Sequence, residues 1–337
     1  MYTLILIITA LLSLPVCLHA AEIVINAVGD VMLAGRWAPE LKKRGYGFPF
    51  GGVLAELAVG DINLANLESP IATGGSEFRS KKFRFLAEPE VAHAIRSAGF
   101  NLVSLANNHS MDFGGDALAE TFQHLAAAGI TWVGAGENLD EARKMALFTL
   151  KGKKIAFLGY SLTRPTEFYA GQKRPGTAPA HLDMVVADVA GARRQADYVI
   201  VSFHWGIEAS GVTNEYQRST AHGAIDAGAD VVIGHHPHVL QGIERYGKGI
   251  IFYSLGNFTF AGKSVTYDVS AIVRLRFSDK LRSAEILPLD VLYGRVGFQP
   301  QPLKGGEGAA VIDRLNQLSK PFKTEIRSRE GRYTISF

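Results

Sequence analysis

Cysteine is almost absent: Cys17 is the only one in 337 residues. No intrachain disulfide can form, and thiolate metal sites are excluded. Any metal must be held by His, Asp, Glu and Asn, a ligand set that suits manganese, iron or zinc. A strong charge of one sign is lacking as well. The formal net charge is +3, too small a surplus to argue for a nucleic-acid partner. There is no Gly-x-Ser-x-Gly elbow and no cysteine nucleophile, so serine and cysteine hydrolase chemistry has no support. Neither an internal repeat nor a low-complexity segment is present. What remains is a globular composition, 47% hydrophobic and 20% charged, long enough for one large domain or two small ones.

Long apolar runs are confined to the N-terminus, where Leu4 to Ala21 is nearly unbroken. The segment reads as a secretory signal peptide ending near Ala20 or Ala21. The alternative is an uncleaved anchor, because ~18 apolar residues approach the ~20 needed to span a bilayer. Lipid modification of Cys17 is a third reading, although Leu-Pro-Val before it matches a lipidation box poorly. All three place residues 22–337 outside the cytoplasm: periplasmic, at the cell surface, or on the outer face of the cytoplasmic membrane.

Behind that segment, short apolar runs alternate with amphipathic stretches. Glu22–Val28, Asp61–Glu68, Phe100–Ala106, Tyr198–Phe203, Asp230–Ile233 and Gly249–Ser254 read as strands. Phe50–Ala58, Glu90–Ser97, Gly115–Ala128, Leu139–Ala146, Leu182–Ala196 and Tyr216–Ala227 read as helices. Residues 161–180, with three prolines, form the chief loop. Val265–Phe277 and Ser283–Tyr293 read as antiparallel strands, Ala309–Leu318 as a last helix and Tyr333–Phe337 as a last strand. In Phe78–Ala87, Arg79, Lys81, Lys82 and Arg84 alternate with rings, which predicts a strand with one solvated face rather than a nucleic-acid surface. The order predicts a layered α/β fold with mixed sheets.

Polar residues cluster where the strands end: Asp30, Asn66 with Glu68, Asn108-His109, His204, and Gly234-His235-His236-Pro237-His238. Strands in a sheet lie ~4.8 Å apart, so such ends converge. Together they make a mixed nitrogen and oxygen ligand set for one or two transition ions. Met32 reads as packing rather than as a ligand. Arg36 follows the Asp30 turn and can meet an anionic substrate. Asp112 is placed to orient His109, while the sequence leaves the direction of Glu208 open. His93, His124 and His222 fall within helices away from any ligand motif and read as structural.

Six motifs in this order carry a family resemblance: Gly29-Asp30-Val31-Met32-Leu33, Asn66-Leu67-Glu68-Ser69-Pro70-Ile71, Ala106-Asn107-Asn108-His109 through Gly114, His204-Trp205-Gly206-Ile207-Glu208, Gly234–His238, and Ser254-Leu255-Gly256-Asn257-Phe258. The chain resembles the CapA family of capsule and poly-γ-glutamate biosynthesis, within the calcineurin-like metallophosphoesterases. The resemblance spans roughly residues 24–260. It implies a metallophosphoesterase sandwich, two mixed β-sheets flanked by helices. Residues 22–300 would form that domain, with 1–21 a signal peptide or membrane anchor and 301–337 a C-terminal helix and strand extension.

Carried over residue by residue, the resemblance implies that Asp30, Glu68, Asn108, His204, His236 and His238 hold one or two divalent ions of manganese, iron or zinc. Glu68 takes the bridging place, and His109 protonates the leaving group. The implied substrates are a phosphoester or an anionic polymer such as poly-γ-glutamate, with membrane-bound capsule synthesis and export proteins as partners. Met32 departs from the Asp-x-His start usual in the phosphoesterases and removes one imidazole from one metal position. That departure favours the alternative, a membrane-associated accessory protein with a degenerate site.

Overall fold

Strands that are apolar at every position need cover on both faces, and this chain supplies it with two sheets and two outer sets of helices. The computed structural model describes residues 22–260 and 265–337. The expected signal peptide or anchor, residues 1–21, lies outside the described residues. Among those described, no helix is long and apolar enough to cross a membrane.

The larger sheet has ten strands. Ile23–Met32, Ile62–Leu67, Leu102–Ser104 and Thr131–Val133 run parallel in that order. Val269–Phe277, Leu281–Asp290, Arg332–Ser336 and Arg327–Arg329 extend it antiparallel on the other side of Ile23–Met32. Asn257–Phe260 adds a short parallel pairing that sets Asn257 opposite Asp30. The second sheet has six strands, in the order Ile243–Tyr246, Gly249–Phe252, Val231–His235, Tyr198–His204, Lys153–Ser161 and Ala146–Leu150. Its middle four strands are parallel, and both edges are antiparallel.

Side chains alternate across each strand with a period of two, and this sorts them into layers. Ile200, Val231, Ile233, Ile155 and Phe157 join Ile23, Ile25 and Leu64 in the core between the sheets. Their neighbours Val199, Val201, Val232, Ala156 and Leu158 face the other way. There they meet Val185 and Val189 of helix Leu182–Arg193 and Ala221 and Ala224 of helix Glu215–Asp226. On the larger sheet the outer layer is Glu90–Ser97 and Gly114–Ala127, through Val91, Ile95, Leu118 and Leu125. The result is the expected α/β fold of two packed mixed sheets with helices outside.

Several element boundaries differ from the sequence expectation. Phe50–Ala58 resolves into two short turns, Phe48–Phe50 and Leu54–Leu57. The helix expected over 139–146 stops at Ala142, and Ala146 already begins a strand. The strand expected over Phe78–Ala87 is not formed: this stretch lacks a ladder, and only Ala87 bridges to Ile71. Its backbone is instead held by Asp112, whose main-chain oxygen accepts from Phe78 N at 2.8 Å and whose Oδ2 accepts from Phe85 N at 2.9 Å. Charge alternation mimicked a solvated strand because the segment follows the surface without joining a sheet.

Candidate metal centre

The polar strand ends belong to both sheets. Asp30, Asn66 and Asn257 are register neighbours in the larger sheet, whereas His204 and His235 are register partners in the smaller one. The cleft therefore lies where the ends of the two sheets meet. Close backbone approach shapes it: a Cβ on Gly234 would fall 2.0 Å from the Tyr253 carbonyl oxygen, so only glycine fits there.

Asp30 is fully buried at the floor. Its Oδ1 lies 2.9 Å from Asn66 Nδ2 and 3.3 Å from His235 Nδ1. Its Oδ2 lies 3.0 Å from His238 Nδ1 and accepts from the His236 backbone N–H at 3.4 Å. Burial pushes the Asp30 carboxyl up, but the His235 and His238 imidazoles outweigh it and hold the group well below the usual carboxylate range. Glu68, also fully buried, behaves oppositely: burial and then the adjacent Asp30 charge push it well above its ordinary value. Two carboxylates thus share one dry site, with their pKa values pushed in opposite directions.

Asn66 stands between them. Its Nδ2 is 2.9 Å from Asp30 Oδ1, 2.9 Å from Glu68 Oε1 and 3.1 Å from His204 Nδ1. That is more acceptors than two amide hydrogens can serve. His204 reaches Asn108 Oδ1 through Nε2 at 2.9 Å, and its ring centre is 4.7 Å from that of His236. Burial and the neighbouring His236 hold the His204 pKa well below its ordinary value; burial and His238 bring His236 down to about 3. Both rings are neutral at pH 7, the form that donates a lone pair to a metal. His238 differs: Asp30 overcomes burial and raises it. His236 and His238 both have positive φ, 97° and 59°, a conformation that non-glycine residues hold only when their surroundings impose it.

Beside this cluster, His109 Nδ1 sits 2.6 Å from Asp112 Oδ2 and 3.1 Å from Lys81 Nζ. Lys81 pairs with Asp112 Oδ1 at 2.5 Å and donates to the Asn108 carbonyl. Burial lowers the pKa of His109 against the pull of Asp112, and lowers that of Lys81 likewise.

All six residues expected as ligands, and the His109–Asp112 pair, line this one cleft. Arg36 lies on the exposed turn Gly35–Trp37, its guanidinium carbon 5.1 Å from the centre of the Trp37 ring. Met32 is buried in the apolar layer, its sulfur accepting from Ala34 N–H at 3.3 Å. His124 pairs with Glu120 and His222 with Glu244, both away from the cleft. Besides His235 and Glu208, which the sequence left outside the ligand set, three cleft residues were not among the expected ligands or catalytic groups. Asn66 had a signal, since it lies two residues before Glu68 on one strand face. Asn257 had one in its place within Ser254–Phe258; its Oδ1 is 2.9 Å from His238 Nδ1. Lys81 had none, being one of four cations in an apparently solvated run.

Three buried atoms in the cleft lack any polar partner, Glu68 Oε2, His235 Nε2 and His236 Nδ1, and His235 Nδ1 has only its 3.3 Å contact with Asp30 Oδ1, outside hydrogen-bond geometry. Two triads also bring a ligand atom from each member within 4.8 Å of one another: Asp30 with Glu68 and His238, and Glu208 with His236 and His238.

The family model described as "Bacterial capsule synthesis protein PGA_cap" matches residues 24–261. Among curated proteins, the chain is 32% identical over 292 residues to "Capsule biosynthesis protein CapA" of Bacillus anthracis, covering 84% of this chain and 70% of that one. It is 33% identical over 269 residues to "PGA biosynthesis protein CapA" of Bacillus subtilis, covering 78% and 70%. Among solved structures, a hypothetical protein from Thermus thermophilus shares the fold at 17% identity, with a TM-score of 0.52 over 80% of this chain and 99% of that one.

Proposed function

We propose, for a chain that belongs to the bacterial capsule synthesis family PGA_cap, an exported protein that serves capsule or poly-γ-glutamate biosynthesis by metal-dependent hydrolysis. The observation that carries this reading is the pair of buried, unpartnered ligand atoms on Glu68 and His236, beside the Asp30, Glu68 and His238 ligand atoms that lie within 4.8 Å of one another. A buried polar atom left unpaired costs about 1–3 kcal/mol, and a divalent cation received by these atoms removes that cost. It also offsets the burial and the Asp30 charge that disfavour the Glu68 carboxylate. Asp30, Glu68, Asn108, His204, His236 and His238 would hold one or two such ions, of the manganese, iron or zinc class. When bound, the ion polarises the scissile group and lowers the pKa of a coordinated water.

The chain's own residues do the rest. Asp112 and Lys81 both engage His109 Nδ1, which leaves Nε2 as the nitrogen to meet substrate; with the Nδ1 hydrogen donated to Asp112, Nε2 gives a proton to the leaving group from the imidazolium form of the ring. Lys81, held in a buried ion pair, keeps that ring from swinging away. The bond cleaved is a phosphoester or an amide of an acidic polymer. The test is turnover: metal-loaded protein is assayed on aryl phosphates and on poly-γ-glutamate chain length. Cleavage of either, lost in His109→Ala, supports the hydrolase. Metal binding without cleavage of either substrate overturns it.

A second reading has an observation of its own. Met32 stands where phosphoesterases usually carry the first-motif imidazole, and its side chain packs in the apolar layer. A cluster short of one ligand suits an accessory protein that binds metal or polymer during assembly beside membrane-bound synthesis and export components. Relatives named for capsule and PGA biosynthesis agree with either role.

A further inference from the structure

Glu208 is exposed, yet its position is closely built. Trp205, just after the strand Tyr198–His204, donates its backbone N–H to the His235 carbonyl at 3.1 Å. Four residues on, Ala209 N–H donates to the Pro237 carbonyl at 2.9 Å. These two bonds lay the loop 205–209 along the histidine turn. Gly206 lets the loop approach: it has φ of 94°, and a Cβ there would stand 2.9 Å from Pro237 Cγ. From below, the Trp205 ring stacks on Phe203 at 4.5 Å and its Nε1 donates to the Tyr253 carbonyl at 2.9 Å. Beyond Glu208, buried Gln241 donates to the carbonyls of Ser210 and Val212 at 2.9 and 3.1 Å, and is itself held by Gln217.

The loop is thus pinned on both sides of Glu208, and its carboxylate falls within 4.8 Å of ligand atoms on His236 and His238. His236 Nδ1 is buried and has no hydrogen-bond partner, and both histidines hold positive φ. A carboxylate with two imidazoles, open toward solvent, is a known donor set for zinc and non-haem iron.

We propose that Glu208, His236 and His238 form a cation position at the mouth of the cleft, outside the Asp30–Glu68 floor, and that Glu208 supplies the ligand for which Met32 has no substitute. The position takes a divalent transition ion and leaves coordination sites open to an anionic substrate group, carboxylate or phosphate. His238 links the two positions, with Nδ1 3.0 Å from Asp30 Oδ2. The inference builds on the metal reading of the cleft and adds to it a second ion and its ligand.

The test counts metal on the full chain, as wild type and as Glu208→Gln, after equilibration with Mn²⁺ and removal of the free ion. Electron paramagnetic resonance of the bound Mn²⁺ is recorded on each. Wild type should hold two ions with magnetically coupled spectra. Glu208→Gln, an isosteric change at an exposed side chain, should keep one uncoupled ion and bind the second about tenfold or more weakly. Equal metal content and unchanged spectra in Glu208→Gln overturn the mouth position while leaving the metal reading intact. A wild-type protein that binds no metal overturns both.

Discussion

Arg274 and Asp30 lie on paired strands of the larger sheet, both buried, both charged. Around Arg274 each polar group finds a partner. Its Nε donates to Asn26 Oδ1 at 3.0 Å, and its Nη2 to the Glu56 carbonyl and Oε2 at 2.8 and 3.0 Å. Asn26 passes the network to Asn63 at 2.8 Å, and Asn63 closes it on the carbonyls of Leu57 and Gly99. Around Asp30 the count does not close: one amide serves three acceptors, and Glu68, His235 and His236 keep unpaired atoms. A buried network that satisfies itself holds a fold together. The network around Asp30, with atoms on Glu68, His235 and His236 left unpaired, is not closed by the protein's own groups.

Substitutions that move one region and not the other sharpen this contrast. The largest effect is expected at His109, which is the proton donor of the proposed reaction and not one of the proposed ligands. His109→Ala should lower kcat by roughly 100- to 10,000-fold with metal content unchanged, read by steady-state kinetics beside elemental analysis. Equal loss of metal would move His109 into the ligand set. Arg274→Met comes next. It strands Asn26 and Glu56 and should destabilise the protein by about 3 kcal/mol in urea unfolding, again with metal content unchanged. Loss of metal in that variant would erase the division between the two regions. Met32→Leu is expected to do least, below about 1.5 kcal/mol and with no change in bound metal, because the sulfur sits among apolar neighbours. A fall in bound metal there would make Met32 a ligand after all.

Most of the cleft was legible because its residues close strands. An apolar run that stops at a polar residue gives both an element and a site, and Asp30, His204 and the Gly234–His238 turn are all of that kind. The division of those ends between two sheets was not legible, since the strands that carry them, Ile23–Met32, Tyr198–His204 and Val231–His235, are buried at every position, and a pattern without alternation does not say which sheet a strand joins. Lys81 was hidden for a different reason. Its segment carries the alternation of a solvated strand, but its backbone is tied to Asp112, a long-range contact that no local pattern encodes. Glu208 was visible as a residue and not as a direction; the pinning of its loop by His235, Pro237 and Gln241 supplies the direction. Helix ends drifted where propensity competes with a nearby strand, as at Leu139–Ala142 before Ala146.

The central claim is that the unpaired atoms of the cleft hold a metal. Calorimetric titration of metal-free protein with Mn²⁺ and Zn²⁺, in wild type and in His236→Ala, tests it most directly. The account predicts saturable binding of at least one ion per chain to wild type and its loss or strong weakening in His236→Ala. Wild-type protein that binds neither ion, or a His236→Ala variant that binds as tightly as wild type, would contradict it.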